Sequence, residues 1–432
     1  MRNLVYSLPI AVFLLLGGTA YQCAAQNYGY EFLEFANKTY REEIQTVVLH
    51  PTEDSLGRPA ILINSNETLV LSFDVLGDLS NIYNYTLIHC DHRWQASNLH
   101  TSEYLVGYTE DQINNFRFSL NTLTPYVHHE LVFPTDYMKP KLSGNYLLVV
   151  YKDQLSEENL LLTQRFYVVD PKLSIQANIP QRTRKSGMER SHQQIDVVID
   201  VPSYLGNMPS DAFSLTIIQD GRTDNTVNGL RPSHTYPDKL LFEYDTETLF
   251  EGGNQWRQLD LKSFKYQSDK ISRIITGTDY YTVDLWQENR RNRQPYVSDF
   301  DIQGRKFIKA RSDQDPAIEG DYAWVTFSLS FEPPLTHGEM HILGALTDWR
   351  LDKKSRMKYN FQSKTYEVSL FLKQGYYNYQ FGICETPGAP AETSLIEGSH
   401  WETNHTYFLL LYFRKPGSAY DQLTGSLLID SH

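Results

Sequence analysis

The densest group of metal-ligating side chains in the sequence is the run His89-Cys90-Asp91-His92. Zinc prefers such imidazole, thiolate and carboxylate ligands, and a protein site needs three or four of them. The run ends a stretch that reads as a strand, in which successive side chains point to opposite faces. Only two of these ligands could face one ion, and the pair His128-His129 falls short for the same reason. The sequence therefore predicts no metal site and no metal-ligating residue.

A calcium loop is a second candidate, suggested by the acidic residues between positions 313 and 321. Such a loop needs acids at alternate positions, a central glycine and a final glutamate. Pro316 and Ala317 interrupt that spacing between Asp315 and Glu319. A solvated linker is the better interpretation of this segment.

The sequence also lacks the common motifs of catalysis. It has no phosphate-binding Gly-Lys-Ser/Thr loop, no Gly-x-Ser-x-Gly, no His-Glu-x-x-His and no paired Cys-x-x-Cys. A glycosidase carboxylate pair leaves no mark in residue spacing, so a hydrolase with an unrecognised site stays an alternative. We predict a protein that is not an enzyme, with no catalytic and no cofactor-binding residue.

Short apolar runs recur along the chain and are separated by Gly, Pro, Asn and Asp, which is the pattern of short strands. Tyr, Phe, Val and Thr favour pleated, half-buried surfaces, and aromatic residues make up 13% of the chain. Long amphipathic helical patterns are not found. The sequence thus predicts an all-β protein built of tandem β-sandwiches.

Domain boundaries follow from length and from two breaks in the strand pattern. A chain of 432 residues exceeds what one core usually holds. Pro171 ends the first set of strands, since proline supplies no donor to a ladder. The charged stretch at 310–320 has no periodicity and reads as a linker. The predicted organisation is a signal peptide at 1–25, an N-terminal β-sandwich at 26–170, a middle β domain at 171–309, the linker at 310–320 and a C-terminal domain at 321–432.

The N-terminus has the order of segments found in secretory signal peptides. Arg2 precedes an apolar run at 8–16, and small residues follow up to Ala25, after which we expect cleavage. A membrane anchor would need about 20 apolar residues. Lipidation at Cys23 would need a small residue where Gln22 stands. No later segment is long and apolar enough to span a bilayer as a helix, so we expect no membrane insertion.

The charge of the chain narrows its partners. It has 39 basic and 52 acidic residues, a net charge of −13, which becomes −14 when Arg2 leaves with the signal peptide. Such a chain repels nucleic acid and anionic lipid. Cys90 and Cys384 lie in apolar contexts almost three hundred residues apart, so we predict buried free thiols rather than a disulfide framework.

Several blocks, in order along the chain, carry a family resemblance. They are LIHCDHRWQ at 87–95, SEYLVG at 102–107, FRFSLNTLTPY at 116–126, SGNYLL at 143–148, FEGGNQWR at 250–257, DIQG at 301–304 and GDYAWVTF at 320–327. Together they resemble the plug protein of the type IX secretion system of the Bacteroidota. Gln303 stands where an asparagine is expected, and His92 where a small residue is expected.

This resemblance implies a periplasmic protein that binds and closes the periplasmic end of a very large outer-membrane translocon barrel. The implied role belongs to protein transport through protein–protein interaction. The Arg290–Arg293 loop and the Tyr104–Tyr108 region are candidate contacts, although neither is assigned as a site.

The C-terminal segment carries a second resemblance, through GALTDW at 344–349 and LFLKQGYYNYQF at 370–381. It is similar to the glycogen-binding, early-set immunoglobulin-like module, which implies immunoglobulin-like sandwiches. That module has a sugar-contacting lysine where Gln380 stands, and its second stacking tryptophan has no counterpart. Trp349 is therefore expected to pack in the core. A carbohydrate-binding envelope protein stays the alternative function, and no carbohydrate partner is expected.

Overall fold

The computed structural model describes residues 29–77, 81–206 and 208–432, so the expected signal peptide lies outside the described residues. Strands dominate the described residues, which confirms the predicted all-β class. The α-helices among them are single turns, α1 at Thr101–Tyr104 and α2 at Ser394–Glu397. Short 3-10 turns occur at Glu157–Asn159, Ser210–Ala212 and Ala345–Thr347. Within the described part of the chain, no helix is long and apolar enough to cross a membrane.

The first sandwich contains the first twelve strands of the described chain. One sheet has the order β1-β12-β11-β5-β7 with β3 alongside β12, the other has the order β2-β4-β9-β8, and β6 pairs with β10 as a separate ribbon. Their bounds are β1 Lys38–Thr39, β2 Ile44–Pro51, β3 Ala60–Leu62, β4 Leu69–Leu76, β5 Tyr83–Cys90, β6 Leu105–Gly107, β7 Asp111–Ile113, β8 Asn115–Phe118, β9 Tyr126–Phe133, β10 Met138–Pro140, β11 Gly144–Tyr151 and β12 Leu160–Val169.

The core of this sandwich follows from side-chain alternation. Leu69, Leu71 and Phe73 of β4 face inward and have no exposed surface. All eight residues of β11 are buried, because this strand is central and both of its faces are covered. The outer face of β11 packs against the segment around Leu33, and Cys90 belongs to the same apolar cluster. Cys90 and Cys384 are both free and buried, as predicted.

The second sandwich begins after Pro171 and is not continuous along the chain. Its first strands form the sheets β13-β15-β19-β18 and β14-β20 and the pair β16-β17. Their bounds are β13 Ser174–Asn178, β14 His192–Gln194, β15 Asp196–Asp200, β16 Phe213–Gln219, β17 Val227–Leu230, β18 His234–Thr235, β19 Lys239–Phe242 and β20 Leu249–Glu251.

The third sandwich follows, and only after it does the chain return to complete the second. One sheet has the order β22-β23-β25-β28-β27, and facing it β29 pairs with β21, β24 and β26. The last two strands, β30 and β31, extend the β17-β16 pair. The bounds are β21 Arg257–Asp260, β22 Ile271–Thr276, β23 Tyr281–Leu285, β24 Lys306–Ile308, β25 Tyr322–Ser330, β26 Glu339–Leu343, β27 Lys358–Asn360, β28 Thr365–Lys373, β29 Gly375–Cys384, β30 Thr406–Phe413 and β31 Gln422–Asp430.

These pairings differ from the predicted boundaries at 171–309 and 321–432. Strands β21 to β24 lie within the expected middle domain, yet β21 and β24 pair with β29, and β23 pairs with β25. Strand β30 lies within the expected C-terminal domain, yet all seven residues of β16 pair with it. Periodicity identifies strands but not their partners, so the sequence could not show that the third sandwich is inserted within the second.

The segment at 310–320 connects β24 to β25 but is packed rather than solvated. The backbone N–H of Leu120 donates to the carbonyl of Ile318 at 2.8 Å. The hydroxyl of Tyr126 donates to the carbonyl of Gly320 at 2.8 Å. The expected solvated linker therefore lies against the first sandwich, because these loop carbonyls accept bonds that the first sandwich provides.

An apolar layer also joins the first sandwich to the second. Tyr167 and Val169 of β12 pack against Phe408, Leu410 and Tyr412 of β30, and all five are buried. Burying each large apolar side chain contributes about 1.5–3 kcal/mol. This layer thus holds the first and second sandwiches together.

Candidate functional site

The structure separates the side chains of His89-Cys90-Asp91-His92. The ring of His89 is buried, where its Nδ1 lies 2.6 Å from the Ser97 hydroxyl and its Nε2 lies 3.2 Å from the Ser143 carbonyl. Burial lowers the pKa of His89 to about 4, so the ring is neutral. Cys90 belongs to the core on the other face of the sheet. The two residues therefore do not share a site.

His92 instead approaches a carboxylate from the far end of the chain. Single ligand atoms of Asp91, His92 and Asp421 lie within 4.8 Å of one another. Each has protein partners: Nδ1 of His92 donates to Asp421 at 2.7 Å, Arg414 donates to Asp421 at 2.6 Å, and Asp91 accepts two backbone N–H groups. Burial would raise the pKa of Asp421, but the bonds from His92 and Arg414 hold it well below its ordinary value. The bond from His92 to Asp421 therefore joins the first sandwich to the second, and the ion pair of Asp421 lies with Arg414 inside the second sandwich.

A second buried cluster joins the first and third sandwiches around Asp74. Its carboxylate accepts bonds from Lys373 Nζ, the Tyr322 hydroxyl and His128 Nδ1, each at 2.6 Å. The side chains of Asp74 and Lys373 are each 1% exposed. Burial would raise the pKa of Asp74, but the charge of Lys373 and the bond from His128 hold it below its ordinary value. His129 points elsewhere and stacks on Phe73.

A third cluster contains a histidine bonded to an aspartate, as in a catalytic triad, but this histidine cannot act as a base. His405 Nδ1 donates to Asp220 at 2.6 Å, and its Nε2 donates to the carbonyl of Gly252 at 2.7 Å. Trp256 Nε1 donates to the same carboxylate at 3.0 Å. Burial would lower the pKa of His405, but Asp220 raises it above its ordinary value. With both nitrogens donating, the ring has no lone pair with which to act as a base.

The predicted Arg290–Arg293 loop is only partly solvated. Arg291 reaches into the third sandwich, where it pairs with Glu397 at 2.7 Å and donates to the carbonyl of Gln255. Arg257 binds the same buried carboxylate at 3.0 Å. The guanidinium of Arg290 lies 4.9 Å from the ring centre of Phe331. Arg291 therefore holds the loop in place and is not free to contact a partner.

Unlike Arg291, the candidate contact region around Tyr104–Tyr108 exposes apolar and aromatic side chains to solvent. Strands β6 and β10 form a ribbon on the first sandwich, in which Tyr104 is buried. Val106, Tyr108 and Tyr137 are 52%, 60% and 65% exposed, and the two tyrosine rings stack with centres 6.0 Å apart. We call these three side chains the tyrosine ribbon. The sequence indicated this region but missed Tyr137, because exposure of an aromatic side chain leaves no mark in the pattern.

The tyrosine ribbon requires a glycine at position 107, where the backbone passes close to the carbonyl of Tyr137. Gly107 has φ +91°, and a Cβ there would lie 2.0 Å from the carbonyl oxygen of Tyr137. The backbone N–H of Tyr108 donates to that same carbonyl at 2.7 Å. The missing side chain thus lets the two exposed tyrosines lie side by side.

A wide cleft of about 1270 Å³ separates β2 of the first sandwich from the outer face of the third. Trp324 and Phe371 line it, with their ring centres 5.1 Å apart. Its rim is charged, and Asp348 there pairs with Lys306 at 3.1 Å. The cleft offers an aromatic contact surface, and nothing in its geometry singles out an acid–base pair.

The sugar-binding positions of the early-set module have other contacts here. Gln380, which stands in place of the lysine, is buried and donates to the carbonyl of Asn254 at 2.7 Å. Trp349 packs edge-on against Trp256 with ring centres 5.5 Å apart. Neither residue forms part of an open sugar platform.

Fold and site together define a multidomain β-sandwich protein whose buried charges are used internally and whose aromatic surface is available for protein contact. Residues 44–170 match the family model described as the type 9 secretion system plug protein 1st domain. A hypothetical protein from Parabacteroides merdae ATCC 43184, known from a crystal structure, is 32% identical, covers 92% of this chain and 100% of its own, and superposes with a TM-score of 0.86. No curated protein matches the chain. The first sandwich therefore belongs to the family of type 9 secretion system plug protein first domains.

Proposed function

We propose that this protein is a non-catalytic plug in the periplasm, which binds the outer-membrane type IX translocon barrel and closes its periplasmic end. The observation that carries the proposal is the tyrosine ribbon, which lies within the part of the chain that matches the plug family. Exposed, clustered tyrosines are typical of the residues that dominate protein–protein binding energy. A partner seated on them would remove Val106, Tyr108 and Tyr137 from water.

Buried contacts between the sandwiches support a plug of fixed shape. The ion pair of Asp74 with Lys373 ties the first sandwich to the third, and the bond from His92 to Asp421 ties the first to the second. Removing one partner of such a buried ion pair leaves an uncompensated buried charge, which costs about 3–5 kcal/mol. A body held in this way resists deformation when it closes a wide opening.

The charge and the His405 cluster support the remaining parts of the proposal. A net charge of −13 disfavours binding to anionic lipid, so contact with the envelope would be made through a protein. His405, the residue most like a catalytic base, has both ring nitrogens occupied. The His405 cluster therefore does not support catalysis, and the proposed function is binding.

The test is purification of the tagged protein from its host envelope in mild detergent. The native protein should bring the translocon barrel with it, and the double substitution Tyr108→Ala with Tyr137→Ala should weaken that association about tenfold or more, as for other aromatic hot spots. Tyr204 and Tyr236 of the second sandwich are 69% and 50% exposed, and their double alanine variant is the matched control. Cells that carry the ribbon variant should admit large hydrophilic dyes.

Repeated absence of the barrel from preparations of the native protein would contradict the plug. Equal recovery of the barrel with the ribbon and control variants would contradict the assigned contact surface. Thermal unfolding of both variants shows that each is folded, so a lost association cannot be ascribed to unfolding.

A further inference from the structure

A cavity of about 400 Å³ lies where the three sandwiches meet. Arg58, Trp94 and Arg165 line it from the first sandwich, Gly221, Phe408 and Tyr412 from the second, and Arg305 and Trp349 from the third. Its volume is within the range of about 300–1,000 Å³ found for small-molecule sites. Its position differs from that of the tyrosine ribbon, so neither site depends on the other.

The charged residues that line this cavity are mostly cations, although the chain as a whole is acidic. They are Arg58, Arg93, Arg165, Arg305, Lys306 and a single acid, Asp348. Asp348 already pairs with Lys306. Arg165 and Arg305 donate to backbone carbonyls, which bring no negative charge. The cavity therefore has an excess of positive charge within a protein of net charge −13.

Arg58 has unused donors in this environment. Its Nε and Nη2 atoms are buried and have no hydrogen-bond partner among the described residues. These two atoms form one edge of the guanidinium, the fork that binds two oxygens of a carboxylate or phosphate at once. Burial and the charge of Arg305 lower the pKa of Arg58 to about 10, which leaves the group charged at neutral pH. The nearby carboxylate of Asp220 is occupied by His405, Trp256 and the Thr406 N–H.

The neighbouring residues hold the guanidinium in place and supply a surface for the rest of a ligand. Gly221 has φ +86°, and a Cβ there would lie 2.2 Å from Nη1 of Arg58, so only glycine leaves room for it. The guanidinium of Arg165 lies 4.4 Å from the ring centre of Trp94. Trp349 lines the same cavity. Such rings pack against the flat or apolar body of a small molecule.

We propose that this cavity binds a small organic oxyanion, a carboxylate or a phosphate monoester, through the guanidinium of Arg58 and the positive wall around it. The ligand would contact residues of all three sandwiches. Arg58 forms no ion pair with a carboxylate among the described residues, and an oxyanion would supply that partner and neutralise part of the positive wall. Because such a ligand binds only the assembled state, it would stabilise the folded protein.

The experiment measures thermal unfolding and calorimetric binding of the full mature chain. The probes are inorganic phosphate, glucose 1-phosphate and galacturonate, with sodium chloride at equal ionic strength and glucose as controls. Phosphate-bearing and carboxylate-bearing probes distinguish the two sources of the oxyanion. At least one oxyanion should raise the unfolding temperature above that in chloride, and glucose should not.

Substitutions then locate the site. Arg58→Met removes the guanidinium and should weaken oxyanion binding about tenfold or more, which is the loss expected for charge-assisted hydrogen bonds. Gly221→Ala keeps the charge but displaces the guanidinium, and it should also weaken binding. Arg273→Met is the control, because Arg273 is a surface residue of β22 that does not line the cavity. Equal stabilisation of the native protein by chloride and by every oxyanion would overturn the proposal, as would unchanged binding in Arg58→Met.

Discussion

At the scale of single residues, buried acidic, basic and histidine side chains form hydrogen bonds and ion pairs that hold the sandwiches together. Asp74 and Lys373 are 299 residues apart in the chain and form a 2.6 Å pair with almost no exposed surface. No sequence pattern indicated this pair, because ion-pair partners on different sandwiches follow no local spacing. The same is true of Arg58, whose neighbours in sequence, Gly57 and Pro59, indicate only a turn.

His405 makes the stability of the protein depend on pH. Its pKa in the folded state is raised above the ordinary 6.5. The stabilisation is complete below pH 6.5 and is lost as the pH rises through the folded pKa, because the folded state keeps a proton that the unfolded state has released. Between these two values the free energy of unfolding should fall by about 1.4 kcal/mol per pH unit.

The measurement is urea unfolding of the native protein and of Asp220→Asn at several values between about pH 6 and pH 9, the range over which a histidine with a raised pKa titrates. The variant lacks the charge that raises the pKa of His405, so the part of the slope above pH 6.5 that belongs to this pair should disappear. A slope that is identical in both proteins would show that His405 does not carry the effect. Exposed His234→Gln is the control and should keep the native slope.

At the scale of elements, the tyrosine ribbon depends on one glycine. Gly107→Ala would place a Cβ against the carbonyl of Tyr137 at a positive φ, so β6 and β10 should separate. Gly417 also has a positive φ, +82°, but nothing lies within 4 Å of its Cβ position, which makes Gly417→Ala a matched control for backbone strain alone.

Amide hydrogen exchange at residues 105–108 and 137–140 is the measurement for this prediction. Exchange should become faster there in Gly107→Ala, with the protection of β4 and β11 retained, because the ribbon is a separate two-stranded sheet. In Gly417→Ala the ribbon should keep its native protection. Native exchange in both variants would show that the ribbon tolerates a side chain at position 107.

Elements were the most predictable level of this structure. The all-β class follows from the short apolar runs and the turn residues between them, and the structure confirms it. Register and partner choice depend on contacts between distant segments, which periodicity does not encode. That is why the all-β class was predicted correctly while the pairings cross the predicted boundaries of the middle and C-terminal domains.

At the scale of the whole molecule, the third sandwich is inserted between β20 and β30, so the second sandwich needs two distant segments of the chain to be complete. A fragment of residues 171–309 contains β16 without β30, so Leu215 and Ile217 would lose the partners that cover them. We expect this fragment to be unfolded or aggregated, since a sheet that lacks its central neighbour exposes both an apolar face and an unpaired edge. A fragment of residues 26–170 keeps both sheets of the first sandwich and should fold.

Circular dichroism and urea unfolding of the two fragments test this expectation. The fragment 171–309 should show no cooperative transition, whereas 26–170 should show one. Adding a separately produced piece with residues 310–432 should restore structure to 171–309, because that piece supplies β29 and β30. A cooperative transition of 171–309 on its own would mean that β16 does not need β30 in order to fold. The fixed arrangement of the sandwiches on which the proposed plug relies would then lose its main support.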